Sequence, residues 1–259
     1  MAEPMVRIER DGTLATVTLA RAAKLHALTP SMLDELESAA RAIDADAAIR
    51  VVILGADGDK AFCVGADIGE WSALAPLDMW RRWTRRGHQV FDQWARLRQP
   101  VIAALNGHAF GGGLELAITA DIRLAAETAQ FALPEASIGT CPGWSGSQRL
   151  VGLVGPAQAK YLALAGRRID AVAARSIGLV HEVHAAADLG AAARALAETM
   201  AAQAPVSLQL TKQLINAAAG EGAAAVLEGL AGALSATTAD AAEGLASFKE
   251  RRPPRYSGR

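Results

Sequence analysis

The chain has 259 residues, 51% of them hydrophobic, and a formal net charge of −1. That length and apolar content allow one large domain, or a domain with an appendage, around a sizeable core. The near-neutral balance argues against a general polyanion binder or a membrane-surface protein, and neither an apolar signal core in "MAEPMVRIERDG" nor any long uncharged apolar run occurs, so a cytoplasmic location is expected.

"VRIERDGTLATVTL" alternates apolar and polar residues on either side of Asp11-Gly12 and reads as a β-hairpin with its tight turn there. From Thr29 the period changes. Thr29 caps a helix with Pro30 at its first position, and Leu33, Leu36, Ala40 and Ile43 recur at helical spacing. "RVVILGADG" and "PVIAALNG" are short buried strands, each followed by a glycine-bearing loop, "AFCVGADIGEW" or "HAFGGGLELA", that leads into a helix. This is a weak internal repeat. Between them, "MWRRWTRRGHQVFDQWARLRQP" sets Trp80, Trp83, Phe91 and Trp94 among arginines. Aromatics at helical spacing are usually core, although interleaved aromatics and arginines also suit RNA.

"DIRLAA" and "AQFAL" read as further strands, and beyond Gly143 helices dominate, with Asp170 and Asp188 as caps. From about Ala204 the chain reads as helices only, broken near Gly220 and Thr238 to Asp240. The expected division is an α/β core over 1–200 and a helical subdomain over 201–259. Cys63 and Cys141 read as reduced small residues in glycine- or proline-containing loops, and His88 and His108 show no metal-ligand spacing.

One stretch, "NGHAFGGGLELAITAD", raises a question: three glycines, Gly111 to Gly113, precede Glu115 in a segment apolar enough to be buried. Glycine in a helix interior costs about 1 kcal/mol relative to alanine, and a buried carboxylate costs more unless paired or functional. Between a strand end and a helix start, glycines expose unpaired N–H groups at the positive end of the helix dipole, which makes an oxyanion receptor. Val64 to Asp67, "VGAD", has comparable character and offers a second N–H. For a glycine run alone, close helix–strand packing plus a turn is the commoner explanation. Glu135, after Leu133-Pro134, is a second carboxylate in an apolar context; solvated surface glutamates are the ordinary alternative for either, but two near glycine loops suit paired acid and base work.

"KAFCVGADIGEW", "NGHAFGGGLELAITADIRLAAETAQFALPEASIGTCPGWSGSQRL" and "EGLASFKERR" resemble the crotonase family, the enoyl-CoA hydratase/isomerase superfamily, in order and spacing from near Leu19 to near Arg252. The resemblance implies an α/β spiral of ββα turns with a C-terminal helical trimerisation region, and a homotrimer or a hexamer built as a dimer of trimers. It implies an acyl-CoA thioester as substrate, its carbonyl held by the amides of Ala66 and Gly112, with no cofactor beyond the CoA of the substrate. Glu115 would position and deprotonate water for attack at Cβ, Glu135 would deliver a proton to Cα, and the Gly143 amide would help hold the water. CoA contacts are implied at Leu25, Ala27, Ala66, Asp67, Ile68 and Gly69, with Phe248 and Arg251 reaching the CoA of a neighbouring subunit.

The sequence departs from the family pattern in places. Ala20, Ala22 and His26 stand where the family has Asn, Pro and Asn, and Trp144 follows the water-binding glycine where hydratases carry a small residue. Trp144 either reshapes the acyl pocket or packs outward against a neighbour. Retention of both glutamates favours a hydratase. Its rivals are double-bond isomerisation or dehydration of a specialised 3-hydroxyacyl-CoA on the same scaffold, and, of another class, a non-catalytic RNA- or partner-binding member.

Overall fold

The computed structural model describes residues 3–259 and opens with a hairpin of β1 (Val6–Asp11) and β2 (Leu14–Leu19). Asp11 pairs with Leu14, so the turn is Gly12-Thr13 rather than the expected Asp11-Gly12. Gly12 supplies the positive φ, 58°, that a two-residue hairpin turn needs at its first central position. The Pro30–Ala45 helix follows as its sequence predicts, with the Thr29 hydroxyl accepting from Met32 N–H at 3.2 Å.

Three strand pairs then repeat one pattern. They are β3 (Val51–Ala56) with β4 (Ala61–Cys63), β5 (Val101–Leu105) with β6 (His108–Phe110), and β7 (Ile122–Ala126) with β8 (Gln130–Ala132). Within each pair the first strand joins one sheet and the second joins another, and shortly afterwards comes a helical turn, Ile68–Trp71, Gly112–Ala117 or Glu135–Ile138. With β9 (Ile169–Asp170) and β10 (Glu182–His184), the sheets run β1-β2-β3-β5-β7-β10 and β4-β6-β8-β9. This is the spiral of ββα turns, and the weak sequence repeat is its imprint.

The smaller sheet positions the site. β4, β6 and β8 are parallel neighbours, with Cys63 opposite Ala109 and Phe110 opposite Ala132. Their C-terminal ends therefore bring residues 64–67, 111–113 and 133–135 side by side, and the carboxyl ends of parallel strands are where open α/β sheets bind ligands.

At the centre of the larger sheet the parallel strand β5 is buried on both faces, as strands of parallel sheets are, whereas the antiparallel edge strand β1 is largely exposed. β5 shows this by period two: Val101, Ala103 and Leu105 join a core with Leu36 and Ile43 of the Pro30–Ala45 helix, while Ile102 and Ala104 join one with Leu189, Ala193 and Ala197 of the Leu189–Ala201 helix. Asp170 caps Ala171–Ser176 by accepting from Ala173 N–H at 2.8 Å. Asp188 stands before Leu189–Ala201 but makes no side-chain capping bond, because its backbone, φ −96° and ψ −15°, is already helical rather than extended. Cys63 lies inside β4, not in a loop, and burial pushes its thiol up to about 12.

The chain divides into two compact units, one ending at Gln209 and one spanning Leu210–Arg259. The second is helical. After the Pro205–Ala218 helix ends, positive φ at Gly220 and Gly222 breaks the chain before Ala223–Ala236, and Thr238 caps Ala239–Glu250 by accepting from Ala241 N–H at 3.0 Å. Leu227 and Leu234 lie exposed on the Ala223–Ala236 helix. Among the described residues no helix is long and apolar enough to cross a membrane.

Candidate active site

The three glycines have three separate reasons. Gly111, the N-cap of Gly112–Ala117, adopts φ 51° and ψ −128°, a conformation side chains avoid. A Cβ on Gly112 would meet the Trp144 ring at 2.9 Å, and one on Gly113 would collide with the backbone carbonyl of Cys63. Close packing therefore accounts for Gly112 and Gly113, and backbone conformation for Gly111. Across the gap, Gly65 takes φ 98°, and a Cβ there would sit 2.9 Å from Phe110 O and 3.1 Å from Gly112 N. The two glycine loops are pressed together.

The Ala66 amide is set apart by its neighbours. Leu28 N–H donates to Gly65 O and Asp67 N–H donates to Leu28 O, both at 2.8 Å, and Val64 N–H donates to Leu25 O at 3.2 Å. This parallel bridge passes over Ala66 N–H, which lies 3.5 Å from the point a Gly112 Cβ would occupy. It also zips Leu25 to Leu28, with Ala27 between, onto the first glycine loop. Asp67 caps Ile68–Trp71, accepting from Gly69 N–H at 3.0 Å, and the Arg21 guanidinium at 2.7 Å holds its carboxyl below the usual range. Ile68 is exposed at the cavity lip.

His26 takes a role its sequence did not signal. Buried and at φ 56°, it accepts from Arg21 N–H at Nδ1 (3.1 Å) and donates from Nε2 to Asp57 O (2.9 Å), while burial lowers its pKa. The neutral ring ties the turn that carries Leu25 and Ala27.

Glu115 follows one turn after Gly111 and is buried, 3% exposed. Its Oε1 accepts from Trp144 N–H and Gly146 N–H, each at 2.8 Å. Burial raises its pKa against the opposing pull of the amides of Trp144, Gly146 and Gly143. Glu135 opens the 3-10 turn after Pro134 and is also buried, with no partner among the described residues for Oε2. Burial, opposed by its own amide and reinforced by the charge of Glu115, raises its pKa to about 7. The surface alternative fails for both.

Glu115, Glu135, Ala66, Gly112 and Gly143 line one cavity of about 240 Å³. Trp144 lines it too and does not pack outward: it is 3% exposed, its ring centroid lies 5.2 Å from those of Trp83 and Phe91, and its indole N–H donates to Trp83 O at 3.3 Å. Trp83, Phe91 and Trp94 are buried as their spacing predicts, whereas Trp80 is exposed. Met79–Thr84 winds as a π-helix, a form frequent at functional sites, and places Met79, Trp83 and Thr84 on the cavity wall. Arg86 of the next helix is engaged by Asp34 and Glu37. Phe248 and Arg251 lie at the end of the last helix in the second unit, both exposed. Two glycine loops and two buried carboxyl groups lining one cavity can stabilise an oxyanion and exchange protons with the carbon next to it.

Comparison with known proteins agrees with this architecture. The family described as enoyl-CoA hydratase/isomerase matches residues 9–259. A short-chain-enoyl-CoA hydratase of Clostridium acetobutylicum is 39% identical over 211 residues, 82% of this chain and 80% of the relative. A crotonyl-CoA hydratase of Syntrophomonas wolfei is 35% identical over 262 residues, 99% of each. The crystal structure of an enoyl-CoA hydratase from Bacillus anthracis superposes with a TM-score of 0.82 at 35% identity, covering 98% of this chain and 100% of that one. Fold, glycine loops and full-length similarity thus converge, and the chain belongs to the enoyl-CoA hydratase/isomerase family.

Proposed function

We propose that this chain is an enoyl-CoA hydratase, a hydro-lyase that reversibly adds water to a 2-enoyl-CoA in the syn sense to give a 3-hydroxyacyl-CoA. The observation that carries this reading is that Glu115 and Glu135, both buried, face one cavity beside the Ala66 and Gly112 amides. The relatives' names, among them crotonyl-CoA hydratase, support it.

In this reading the Ala66 and Gly112 N–H groups hold the thioester oxygen as negative charge develops on it, an effect worth several kcal/mol in a dry site. Glu115, aimed by its amide donors, takes a proton from water as the oxygen bonds to Cβ, and the Gly143 amide helps hold that water. Glu135 gives its proton to Cα. Return of a proton from Glu115 to Glu135 through solvent resets the pair, and no cofactor is consumed. CoA runs past Leu25, Ala27, Asp67, Ile68 and Gly69 at the mouth. Phe248 and Arg251 reach the CoA of a neighbouring subunit in a cytoplasmic homotrimer, or in a hexamer of two trimers.

The test follows loss of enoyl-thioester absorbance over short, long, branched and aryl enoyl-CoA substrates. Hydration of crotonyl-CoA supports the reading. Double-bond migration without hydration overturns it in favour of an isomerase.

A further inference from the structure

Ser145 is the only residue between the two amides that grip Glu115, and it sits at φ 73°, in the left-handed region. That conformation turns Trp144 N–H and Gly146 N–H onto one oxygen, and a side chain does not adopt it without support. The support is visible. Ser145 Oγ–H donates to Asp92 Oδ1 at 3.2 Å, Ser145 Oγ lies 3.0 Å from His88 Nδ1 and 3.2 Å from His88 Nε2, and His88 Nε2 lies 3.4 Å from Asp92 Oδ2. Arg149 donates to Asp92 Oδ1 at 2.8 Å.

Serine, histidine and aspartate are also the residue types of a nucleophilic triad. Here Ser145 is buried, and the described residues lining the cavity include Gly143 and Trp144 but not Ser145. Its oxygen is set behind the cavity wall formed by the described residues. We propose instead that Ser145, His88 and Asp92 form a positioning relay that locks the Trp144–Gly146 amides onto Glu115 and so aims its carboxylate. This rests on Glu115 acting on the water as proposed above.

Glu115 is faced by Glu135 across the cavity and by His88 from the Arg85–Ala95 helix; behind His88 stand Asp92, Arg149 and, 3.6 Å from Asp92, Arg96. Against the upward push of burial, Arg149 first and then His88 and Arg96 hold Asp92 ionised, below the usual carboxylate range. Removing the relay leaves Glu115 buried with looser donors. Its proton affinity then rises.

The experiment uses Ser145→Ala, which keeps the Cβ and deletes only the hydroxyl that supports the left-handed backbone, with His88→Ala and the conservative His88→Gln. Two readouts are taken on the intact oligomer: the titration midpoint of the Glu115 carboxyl carbon by 13C NMR, assigned through Glu115→Gln, and hydration of crotonyl-CoA. Ser145→Ala and His88→Ala are expected to raise the midpoint and lower kcat about tenfold or more with KM little changed, with partial recovery in His88→Gln. An unmoved midpoint in folded Ser145→Ala overturns the relay. Absence of hydration by the wild type overturns the hydratase reading, while the midpoint still decides the relay.

Discussion

Gly87 and Trp144 share one volume: a Cβ on Gly87 would fall within the Trp144 indole, against Nε1, Cε2 and Cδ1. A glycine inside the Arg85–Ala95 helix is thereby explained by a tryptophan 57 positions later in the chain. Gly87→Ala gains helix propensity but overpacks this contact, so it is expected to destabilise by about 1–3 kcal/mol. Trp144→Ala empties the site at a cost of about 3–5 kcal/mol. The double variant should lose less than the sum, because the methyl group introduced by Gly87→Ala then fills part of the vacated space. Denaturant midpoints of the four proteins check this, and strict additivity would show that the two positions are independent.

Trp144 also lines the cavity that would take the acyl group in the proposed reaction. Trp144→Leu, milder than alanine, is expected to raise kcat/KM for longer or branched 2-enoyl-CoA substrates by roughly tenfold while crotonyl-CoA hydration stays within a few-fold, since each methylene accommodated is worth about 1–3 kcal/mol. An unchanged profile over the substrate panel would place the specificity wall elsewhere.

In the proposed reaction the two carboxylates divide the chemistry. Glu115→Gln and Glu135→Gln should each fold and bind CoA yet lower hydration kcat by roughly 100-fold or more, the scale of lost acid–base catalysis. Exchange of the Cα proton distinguishes them. It should vanish in Glu135→Gln and persist in part in Glu115→Gln, where a substrate still enolises against the amides. The double variant should be barely worse than the poorer single one, as groups acting in one unit are non-additive. Wild-type hydration by either single variant would sink the two-glutamate mechanism.

Short apolar strands, glycine loops and two glutamates in apolar settings were legible as local signals, whereas the spiral of ββα turns that unites them was implied only by the resemblance to the crotonase family. Thr29 and Pro30 placed a helix start to the residue. Other features depend on partners that no local pattern names. His26 in "AAKLHAL" gives no hint that its ring ties Arg21 to Asp57, and Ser145 reads as an ordinary loop serine until His88 and Asp92 are brought beside it by folding. The π-winding of Met79–Thr84 escaped for another reason: six residues are too few for apolar spacing to separate a π-helix from an α-helix.

The last prediction concerns pH. Burial raises the Glu135 pKa to about 7 in the folded chain, whereas the unfolded chain returns it to the ordinary carboxylate range. The unfolded state therefore loses this proton first as pH rises, and by linkage stability falls across that window. The favourable contribution is complete at acidic pH, below the unfolded value, and is lost as pH climbs through about 7. Its total is on the order of 3 kcal/mol. Glu135→Gln has no proton to lose, so its melting temperature should gain on that of the wild type between about pH 4 and about pH 7 and then run parallel. Activity should report the same group: if Glu135–H delivers the proton to Cα, hydration kcat/KM declines as pH rises through about 7. A melting-temperature difference that stays flat with pH would mean Glu135 titrates in the folded protein as it does in the unfolded chain, leaving it ionised and unable to act as the acid at neutral pH.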